Sequence, residues 1–447
     1  PPADMSYDIV RAAAVNTLLR VRDKGAYVNA ALDRTLSRAD ISERGRAFLT
    51  QLVYGTVRHQ SLCDHVLRGL LTQPLEKLPG AILIILRMGV FQSLFCRSVT
   101  FPSMVHTSVE LAKHRGHAGT TRLVNAVLRR APQRMEDVPL PPWETHPAER
   151  LSVRYSLPPW ISKAWLTQFG PDEAARLCAA CNEEAPVSVR ANLLQTSTDT
   201  LMALFEKAKC GPIKGTRIPE ELTLTEGLPP SRSKLFREGQ YFIQDAASML
   251  PPHALDPQPG ETILDLCAAP GGKTTHIAQL AHDKARVVAM DIHPDKLRFV
   301  RENAERLGCV GIRTVCGNGA QAPFGEAFDR VLIDAPCSGL GTIRRHPDLK
   351  WRVTPEAIAR LAVEQQQLLR SAIRLCKNGG TLVYSVCTFT PEETEEALQA
   401  ALATGEVVLE DGPEWLDTWK IRTGTYRTLP HVDGLDGFFL MRLRKAS

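Results

Sequence analysis

From about residue 240 onward, short apolar segments that predict strands alternate with segments that predict helices. The strand candidates are Thr262–Leu266, Arg286–Met290, Ile312–Cys316, Val331–Ile333, Thr381–Val386 and Gly437–Leu443. The segments Pro294–Leu307 and Pro355–Cys376 predict helices between them. This alternation implies a mainly parallel, doubly wound sheet. We therefore predict a C-terminal, Rossmann-like α/β domain over residues 238–447.

The first part of the chain predicts helices only. No strand-like alternation interrupts it, and Leu49, Leu52 and Val53 lie on one apolar stripe at helical spacing. The apolar run Ala81–Leu86 is far shorter than the roughly 18 residues that a membrane span needs, so it predicts a buried helix. We predict an all-α domain over residues 5–138 and expect no membrane partner.

A proline-rich linker follows this helical part. Pro132–Pro147 contains five prolines, and proline ends helices and favours extended chain. Beyond it, Pro171–Cys181 predicts a helix, whereas Val187–Arg190 alternates like a strand. We predict a small α+β middle domain over residues 145–237, which links the other two and helps to recognise RNA.

Charge is distributed unevenly along the chain. The net charge is only +5, but residues 1–140 hold 19 basic and 11 acidic side chains, a net +8. The remaining residues hold 35 and 38, a net −3. A basic block on a near-neutral body predicts a polyanionic partner at one end.

Composition excludes several classes of protein. A hydrophobic fraction of 44% with 23% charged residues is typical of globular chains rather than disordered ones. Eleven cysteines, an odd number scattered along the chain, predict free thiols rather than a disulfide framework. No signal peptide is expected, because no charged start precedes an apolar stretch. Together these features predict a cytoplasmic protein.

The stretch Asp265–Thr274 reads DLCAAPGGKT and joins the first predicted strand to a helix. An open parallel sheet binds nucleotides at this position, outside the carboxyl ends of its strands. Gly271 and Gly272 allow a ligand to approach the backbone closely, and Asp291 can accept from both ribose hydroxyls. The spacing matches neither a dinucleotide fingerprint nor a phosphate-binding loop. A nucleoside cofactor without a pyrophosphate, S-adenosylmethionine, fits best; an ordinary glycine turn is the alternative.

Two further motifs follow the fourth and fifth predicted strands. Asp334–Gly339 reads DAPCSG, and Tyr384–Thr388 reads YSVCT. If these strands are neighbours, Cys337, Cys387 and Asp334 share one rim beside the cofactor loop. Taken alone, a cysteine here is as readily a buried structural residue.

Two thiols and a carboxylate beside a cofactor pocket match one chemistry closely. Carbon 5 of cytosine is a poor nucleophile, but a thiolate that adds to carbon 6 turns the ring into an enamine, whose carbon 5 attacks a methyl sulfonium. A carboxylic acid hydrogen-bonded to the ring assists this addition. A base then removes the carbon 5 proton, and the thiol is eliminated.

These three motifs resemble the RNA 5-methylcytosine methyltransferases of the RsmB (Sun, Fmu) family, which act on bacterial 16S ribosomal RNA. The resemblance covers nearly the whole chain. Tyr54–Arg58 and Asn125–Arg130 are similar to the family's NusB-like RNA-binding domain, and Arg344–Trp351 (RRHPDLKW) is typical of the family. The resemblance implies a NusB-like domain, a middle domain and an S-adenosylmethionine-dependent methyltransferase domain. It also implies a monomer whose partner is 16S ribosomal RNA or an assembling small subunit.

The resemblance implies a role for each motif residue. Cys387 would be the nucleophile, Cys337 would help to release the product as the base, and Asp334 would contact the cytosine and the cofactor's methionine end. The residues implied to bind the cofactor are Cys267, Ala268, Ala269, Pro270, Gly271, Gly272, Lys273, Asp291 at the ribose, and Asp334. The family usually has an aspartate at the adenine, where this chain has Asn318. An amide oxygen can still accept from the adenine amino group, in a weaker bond than a charge-assisted one.

Other patterns carry further expectations. The CxxC pair of Cys178 and Cys181 lacks the four ligands of a structural zinc site, so no metal is expected. Arg344 and Arg345 follow a catalytic motif and predict substrate contacts. The segment Pro391–Asp411 holds seven acids and no base, which predicts a solvated helix face. The rival functions are a 5-methylcytosine methyltransferase acting on transfer RNA and an inactive NusB-like RNA-binding factor.

Overall fold

The structure is a computed structural model that describes residues 8–227 and 230–446. It divides into two compact units. The first comprises the described residues up to Glu183 together with Arg345–Arg352, and the second comprises Glu184–Arg344 and the described residues from Val353 onward. The three domain limits drawn from the sequence remain a prediction, and their outer ends at residues 5 and 447 lie outside the described residues. Within the described ranges, no helix is long and apolar enough to cross a membrane.

The first unit is helical, as predicted for its described residues up to 138. Its helices are Ile9–Lys24, Val28–Leu36, Glu43–Arg58, Gln60–Leu70, Gly80–Phe95, Phe101–Arg115, Ala118–Leu128, Pro147–Arg154, Pro159–Phe169, Pro171–Ala180 and Leu349–Arg352. The predicted stripe of Leu49, Leu52 and Val53 is fully buried in the core. The run Ala81–Leu86 lies in a helix whose residues are mostly buried, so the expected buried helix is confirmed.

The segment Arg345–Arg352 belongs to this helical unit although it follows a catalytic motif in sequence. The Trp351 Nε1–H donates to the Val57 carbonyl at 2.9 Å, and the buried Lys350 ammonium donates to the Arg58 carbonyl at 2.8 Å. Burial, and then the nearby Arg58 charge, lowers the pKa of Lys350 to about 7. The RRHPDLKW stretch therefore makes structural contacts that the sequence did not predict.

The second unit contains a small antiparallel sheet of four strands. They are β1 (Val187–Ala191), β2 (Pro212–Lys214), β3 (Glu221–Leu224) and β4 (Tyr241–Ile243), in the order β2-β3-β1-β4. Its helices are Thr198–Lys207 and Lys234–Arg237. The predicted strand Val187–Arg190 is therefore confirmed as β1, the strand between β3 and β4.

The larger sheet of the second unit has nine strands. They are β5 (Thr262–Asp265), β6 (Arg286–Asp291), β7 (Ile312–Cys316), β8 (Phe328–Asp334), β9 (Cys376–Val386), β10 (Val407–Leu409), β11 (Lys420–Arg422), β12 (Thr425–Thr428) and β13 (Phe438–Lys445). The accompanying helices are Leu250–Leu255, Gly272–Leu280, Pro294–Leu307, Pro355–Leu375, Glu395–Leu402 and Pro430–Asp433.

The strand order is β11-β12-β13-β9-β8-β5-β6-β7, and β10 pairs with β13. Strands β7, β6, β5, β8 and β9 are parallel, which confirms the predicted core of the sheet. Strands β10–β13 add an antiparallel extension, of which the sequence predicted only the last strand. Since the five parallel strands end at the same edge, the three sequence motifs lie along that edge.

Candidate active site

The loop after β5 is fixed against β6. The Ala268 N–H donates to a carbonyl of β6 at 2.9 Å, and the Ala269 N–H donates to Asp291 Oδ2 at 3.1 Å. Gly271 has a φ of +103°, and a Cβ built there would lie 3.0 Å from Val300 Cα. Glycine alone suits both this backbone conformation and this close contact.

Polar side chains continue the edge beyond β6 and β7. Asp291 ends β6, and its Oδ1 accepts from the His293 N–H at 2.9 Å. Asn318 is exposed beyond β7, and its Oδ1 accepts from the Ala320 N–H at 3.0 Å. The exposed apolar Ile292 follows Asp291 directly. The sequence motifs did not single out Ile292, although an apolar residue directly after a strand end was a usable signal.

The predicted cofactor-binding residues differ in exposure. Ala268 and Gly271 are buried, Cys267, Ala269, Gly272, Lys273, Asp291 and Asp334 are half-buried, and Pro270 and Asn318 are exposed. Burial, and then the charges of nearby carboxylates, raises the pKa of Cys267 well above its ordinary value. This thiol stays protonated and contributes a small apolar surface. Burial also raises the pKa of Asp265 to about 7, although the Thr274 hydroxyl donates to its Oδ2 at 2.6 Å.

An ion pair connects the cofactor loop to the second motif. Lys273 Nζ lies 2.6 Å from Asp334 Oδ2, and the Ser385 hydroxyl donates to Asp334 Oδ1 at 2.9 Å. Lys273 also lies over the Phe438 ring, 5.2 Å from its centroid. Asp334 therefore contacts residues of both the first and the third motif, and neither contact was predicted from the sequence.

The two motif cysteines lie side by side. Cys337 follows β8 and Cys387 follows the neighbouring parallel strand β9, and their Sγ atoms are 3.1 Å apart. Both are half-buried free thiols. The hydrogen bond with Cys387, and then burial, raises the pKa of Cys337 well above its ordinary value. The raised pKa favours the protonated thiol at Cys337.

A buried arginine of the smaller sheet supports the helix that follows the cofactor loop. Arg190 on β1 is fully buried and donates to the Gly272 carbonyl at 2.6 Å and to Thr275 Oγ1 at 3.0 Å. Burial lowers the pKa of Arg190 to about 9, and the nearby Glu220 carboxylate opposes this shift. The first turn of this helix is thus held by a side chain about 80 residues earlier in the chain.

Three groups that can ligate a metal lie together near Arg190. Glu220 Oε1 is 2.7 Å from His253 Nε2 and 2.7 Å from His276 Nε2. The sequence, from which no metal was expected, did not single out these three residues because they lie far apart along the chain. Burial, and then the charge of Arg190, lowers the pKa of His276 to about 3. The Glu220 carboxylate and the Arg190 guanidinium carry opposite charges that compensate each other. We infer that the positive charge of Arg190 disfavours a metal cation at this cluster.

One expectation from the sequence is wrong. Arg344 is buried, pairs with Asp436 and donates to the Gly434 carbonyl at 2.9 Å, so its side chain stabilises the fold instead of contacting substrate. The solvated face expected of Pro391–Asp411 is confirmed for most of its acids, which are exposed or half-buried, but Glu393 is fully buried. The predicted substrate contact of Arg345 remains a prediction.

Three family models match consecutive parts of the chain. The NusB family matches residues 8–133, and the ferredoxin-like domain of RsmF/B-like methyltransferases matches residues 157–230. The model described as 16S rRNA methyltransferase RsmB/F matches residues 252–444. The matches follow the order of helical part, small sheet and large sheet.

Relatives of similar length extend these matches over the whole chain. The probable ribosomal RNA small subunit methyltransferase B of Bacillus subtilis (strain 168) is 35% identical over 445 residues, which cover 98% of each chain. The protein of the same description from Synechocystis sp. is 36% identical, over 98% of this chain and 99% of its own. This chain belongs to the RsmB/F family. The crystal structure of PH0851 is 27% identical and superposes with a TM-score of 0.82 over 97% of this chain and 98% of its own.

Membership of the RsmB/F family confirms the resemblance drawn from the three motifs and makes the chain a methyltransferase. The NusB match falls on the helical first unit, and the RsmB/F match begins within the helix before β5 and ends in β13. The motif residues therefore lie in the part of the chain that the RsmB/F model covers.

Proposed function

We propose that this RsmB/F-family enzyme transfers a methyl group from S-adenosylmethionine to carbon 5 of a cytosine in 16S ribosomal RNA, through a covalent bond between Cys387 and the cytosine. The observation that carries the proposal is the 3.1 Å contact between Cys337 Sγ and Cys387 Sγ beside Asp334. Methyl transfer to an amine or a hydroxyl needs no thiol. Carbon 5 becomes nucleophilic only after a thiolate has added to carbon 6, so paired thiols favour this reaction.

The residues around the β5 loop fit the proposed cofactor. Each carboxylate oxygen of Asp291 accepts one backbone N–H and keeps a lone pair for a ribose hydroxyl. Asn318 Oδ1 can accept from the adenine amino group, and Ile292 offers apolar surface to the adenine ring. Lys273 and Asp334 lie at the end assigned to the methionine group. The bound cofactor supplies an electrophilic methyl group on a positively charged sulfur.

Cys387 is assigned as the nucleophile because it stands in the third motif, where the RsmB resemblance implies that role, and the raised pKa of the neighbouring Cys337 favours a protonated thiol there. The Cys387 thiolate forms a bond to carbon 6, and the electron pair of the ring double bond makes carbon 5 electron-rich. This bond removes the hydrogen bond and the charge of Cys387 that raise the pKa of Cys337. Cys337 can then release its own proton and, once carbon 5 is methylated, accept the proton from carbon 5. The electrons of that C–H bond restore the double bond as the bond to Cys387 breaks.

Asp334 is proposed to contact the cytosine during these steps. Lys273 and Ser385 each bond to one of its carboxylate oxygens, which fixes its orientation without using every lone pair. A group held in this way needs no reorientation when the ring enters, and such preorganisation is a main source of catalytic stabilisation.

An RNA partner is supported by the net +8 charge of the first 140 residues, since phosphate neutralisation supplies sequence-independent affinity. The Bacillus subtilis and Synechocystis relatives are described as methyltransferases of the ribosomal RNA small subunit. Their descriptions favour 16S ribosomal RNA over transfer RNA as the substrate here. We place the enzyme in the cytoplasm and propose that it acts as a monomer.

The test combines methyl transfer in vitro with a map of the modified base. Purified enzyme, S-adenosylmethionine with a labelled methyl group, 16S ribosomal RNA and transfer RNA are incubated, and ribosomal RNA from a deletion strain is sequenced after bisulfite treatment. We expect labelled 16S ribosomal RNA and one 5-methylcytosine missing in the deletion strain. Label in transfer RNA alone would favour the transfer RNA enzyme, and no label in any RNA would favour the inactive RNA-binding factor.

A further inference from the structure

Glu393 is a fully buried carboxylate six residues after Cys387. Its Oε1 accepts from the Ser338 N–H at 2.8 Å and from Gln365 Nε2 at 3.0 Å. Its Oε2 accepts from the Ser338 hydroxyl at 2.5 Å and from the Thr390 hydroxyl at 2.7 Å. All four of these donors are uncharged.

The partners of Glu393 lie next to both motif cysteines. Ser338 directly follows Cys337, and its Oγ lies 2.9 Å from the Oγ1 of Thr388, which directly follows Cys387. The carboxylate and these two hydroxyls therefore join the loop after β8 to the loop after β9. A buried polar network with every member satisfied fixes one arrangement of the groups it contains.

Gln365 connects this network to residues that precede the two cysteines in the chain. Its Nε2 donates to the Pro336 carbonyl at 2.9 Å, and its Oε1 accepts from the Tyr384 hydroxyl at 3.0 Å. Pro336 directly precedes Cys337, and Tyr384 lies three residues before Cys387. Residues before and after each cysteine in sequence are thus hydrogen-bonded into the network around Glu393.

We propose that Glu393 is a positioning residue whose carboxylate holds the two thiols side by side, so that Cys387 reacts in preference to Cys337. The proposal deepens the proposed function, because it names the group that assigns the two cysteines their roles. The negative charge of Glu393 also contributes to raising the pKa of Cys337, after the larger effects of Cys387 and burial. The carboxylate therefore acts through both geometry and charge.

Alkylation of the thiols tests this proposal without RNA or cofactor. Iodoacetamide is added to the full-length chain, a thiolate displaces iodide from it, and peptide mass spectrometry measures the rate at each cysteine. In the unsubstituted chain we expect Cys387 to react at least about tenfold faster than Cys337, because the pKa of Cys337 is raised and one pKa unit is about a tenfold change in its thiolate fraction. We expect E393Q to lower this ratio by about tenfold, and to shift Cys337 alkylation to lower pH.

The matched control is E392Q, the same chemical change at an exposed residue of the same 3-10 helix, which we expect to leave the ratio unchanged. E393D keeps the charge on a shorter side chain, so its ratio should lie between those of E393Q and the unsubstituted chain. A ratio in E393Q equal to that in E392Q would overturn the proposal, as would equal reactivity of the two cysteines in the unsubstituted chain.

Two further measurements cover the cases in which E393Q does not fold or RNA methylation fails. If circular dichroism shows E393Q to be unfolded, S338A replaces it, because this change removes one hydroxyl bond to Glu393 and leaves the N–H bond. We expect a ratio about threefold lower, which corresponds to about half of one pKa unit. An unchanged ratio would overturn the proposal. Failure of RNA methylation with an intact alkylation ratio would reject the proposed function alone. Normal methylation with an unchanged ratio in E393Q would reject the positioning role alone.

Discussion

Alanine at Gly271 is expected to weaken binding of S-adenosylmethionine far more than alanine at Gly260. The two glycines have φ values of +103° and +87°, so a Cβ brings conformational strain of about 1–2 kcal/mol at either position. Only at Gly271 does it also meet a neighbour, 3.0 Å from Val300 Cα, whereas nothing lies within 4 Å of a Cβ at Gly260. Overpacking of this kind costs about 1–3 kcal/mol, and this contribution distinguishes the two variants.

The G271A loop relieves the overlap by moving away from Val300, and cofactor binding has to reverse that movement. The strain therefore appears as a loss of affinity, about 5- to 150-fold in Kd for about 1–3 kcal/mol. Isothermal titration calorimetry with S-adenosylmethionine on the full-length chain, G271A and G260A measures the difference, with circular dichroism to confirm folding. Equal affinity in G271A and G260A would show that the contact with Val300 does not position the loop.

Three further predictions follow from single residues. N318D should raise the affinity for S-adenosylmethionine about fivefold, because a charge-assisted bond to the adenine amino group is about 1 kcal/mol stronger than a neutral one; unchanged or weaker titration would contradict that assignment. R190M should lower the midpoint of thermal unfolding by about 5 °C or more, because Gly272 loses a buried charged donor; an unchanged midpoint would exclude a supporting role. Since the pKa of Asp265 is raised to about 7, the folded chain holds a proton between about pH 4 and 7 that the unfolded chain has released. The free energy of unfolding therefore falls as pH rises through this window, and D265N should flatten that slope in urea unfolding; an identical slope would contradict it.

The parallel core of the large sheet was predictable because its strands are short apolar segments separated by helices. Val331, Leu332 and Ile333 are all fully buried, as expected of a strand covered on both faces. The thiol pair was predictable for the same reason, since Cys387 directly follows β9, Cys337 lies three residues beyond the end of β8, and these strands had to be neighbours for the motifs to meet. The local apolar pattern and the strand order were sufficient to predict the parallel core and the thiol pair.

Buried polar groups were not predictable, because their partners lie far away in the chain. Arg344 follows a catalytic motif and was expected at the substrate, but Asp436 pairs with it 92 residues later. Glu393 has acidic neighbours in sequence, and only the fold reveals that Ser338 and Gln365 enclose it. Lys350 is buried against the carbonyl of Arg58, 292 residues earlier. Charged residues are expected to be exposed, and this expectation fails where residues distant in the chain supply their hydrogen-bond partners.

The proposed mechanism requires that Cys387 forms a bond to carbon 6 of the cytosine and that Cys337 is needed for release. The most direct measurement is peptide mass spectrometry of the C337A variant after incubation with S-adenosylmethionine and 16S ribosomal RNA, followed by nuclease and protease digestion. We predict a methylated cytidine nucleotide attached to the peptide that contains Cys387, and no such peptide from the double variant C337A/C387A. A nucleotide attached to another cysteine, or a C337A enzyme that methylates the RNA with normal turnover and no attached nucleotide, would contradict this mechanism.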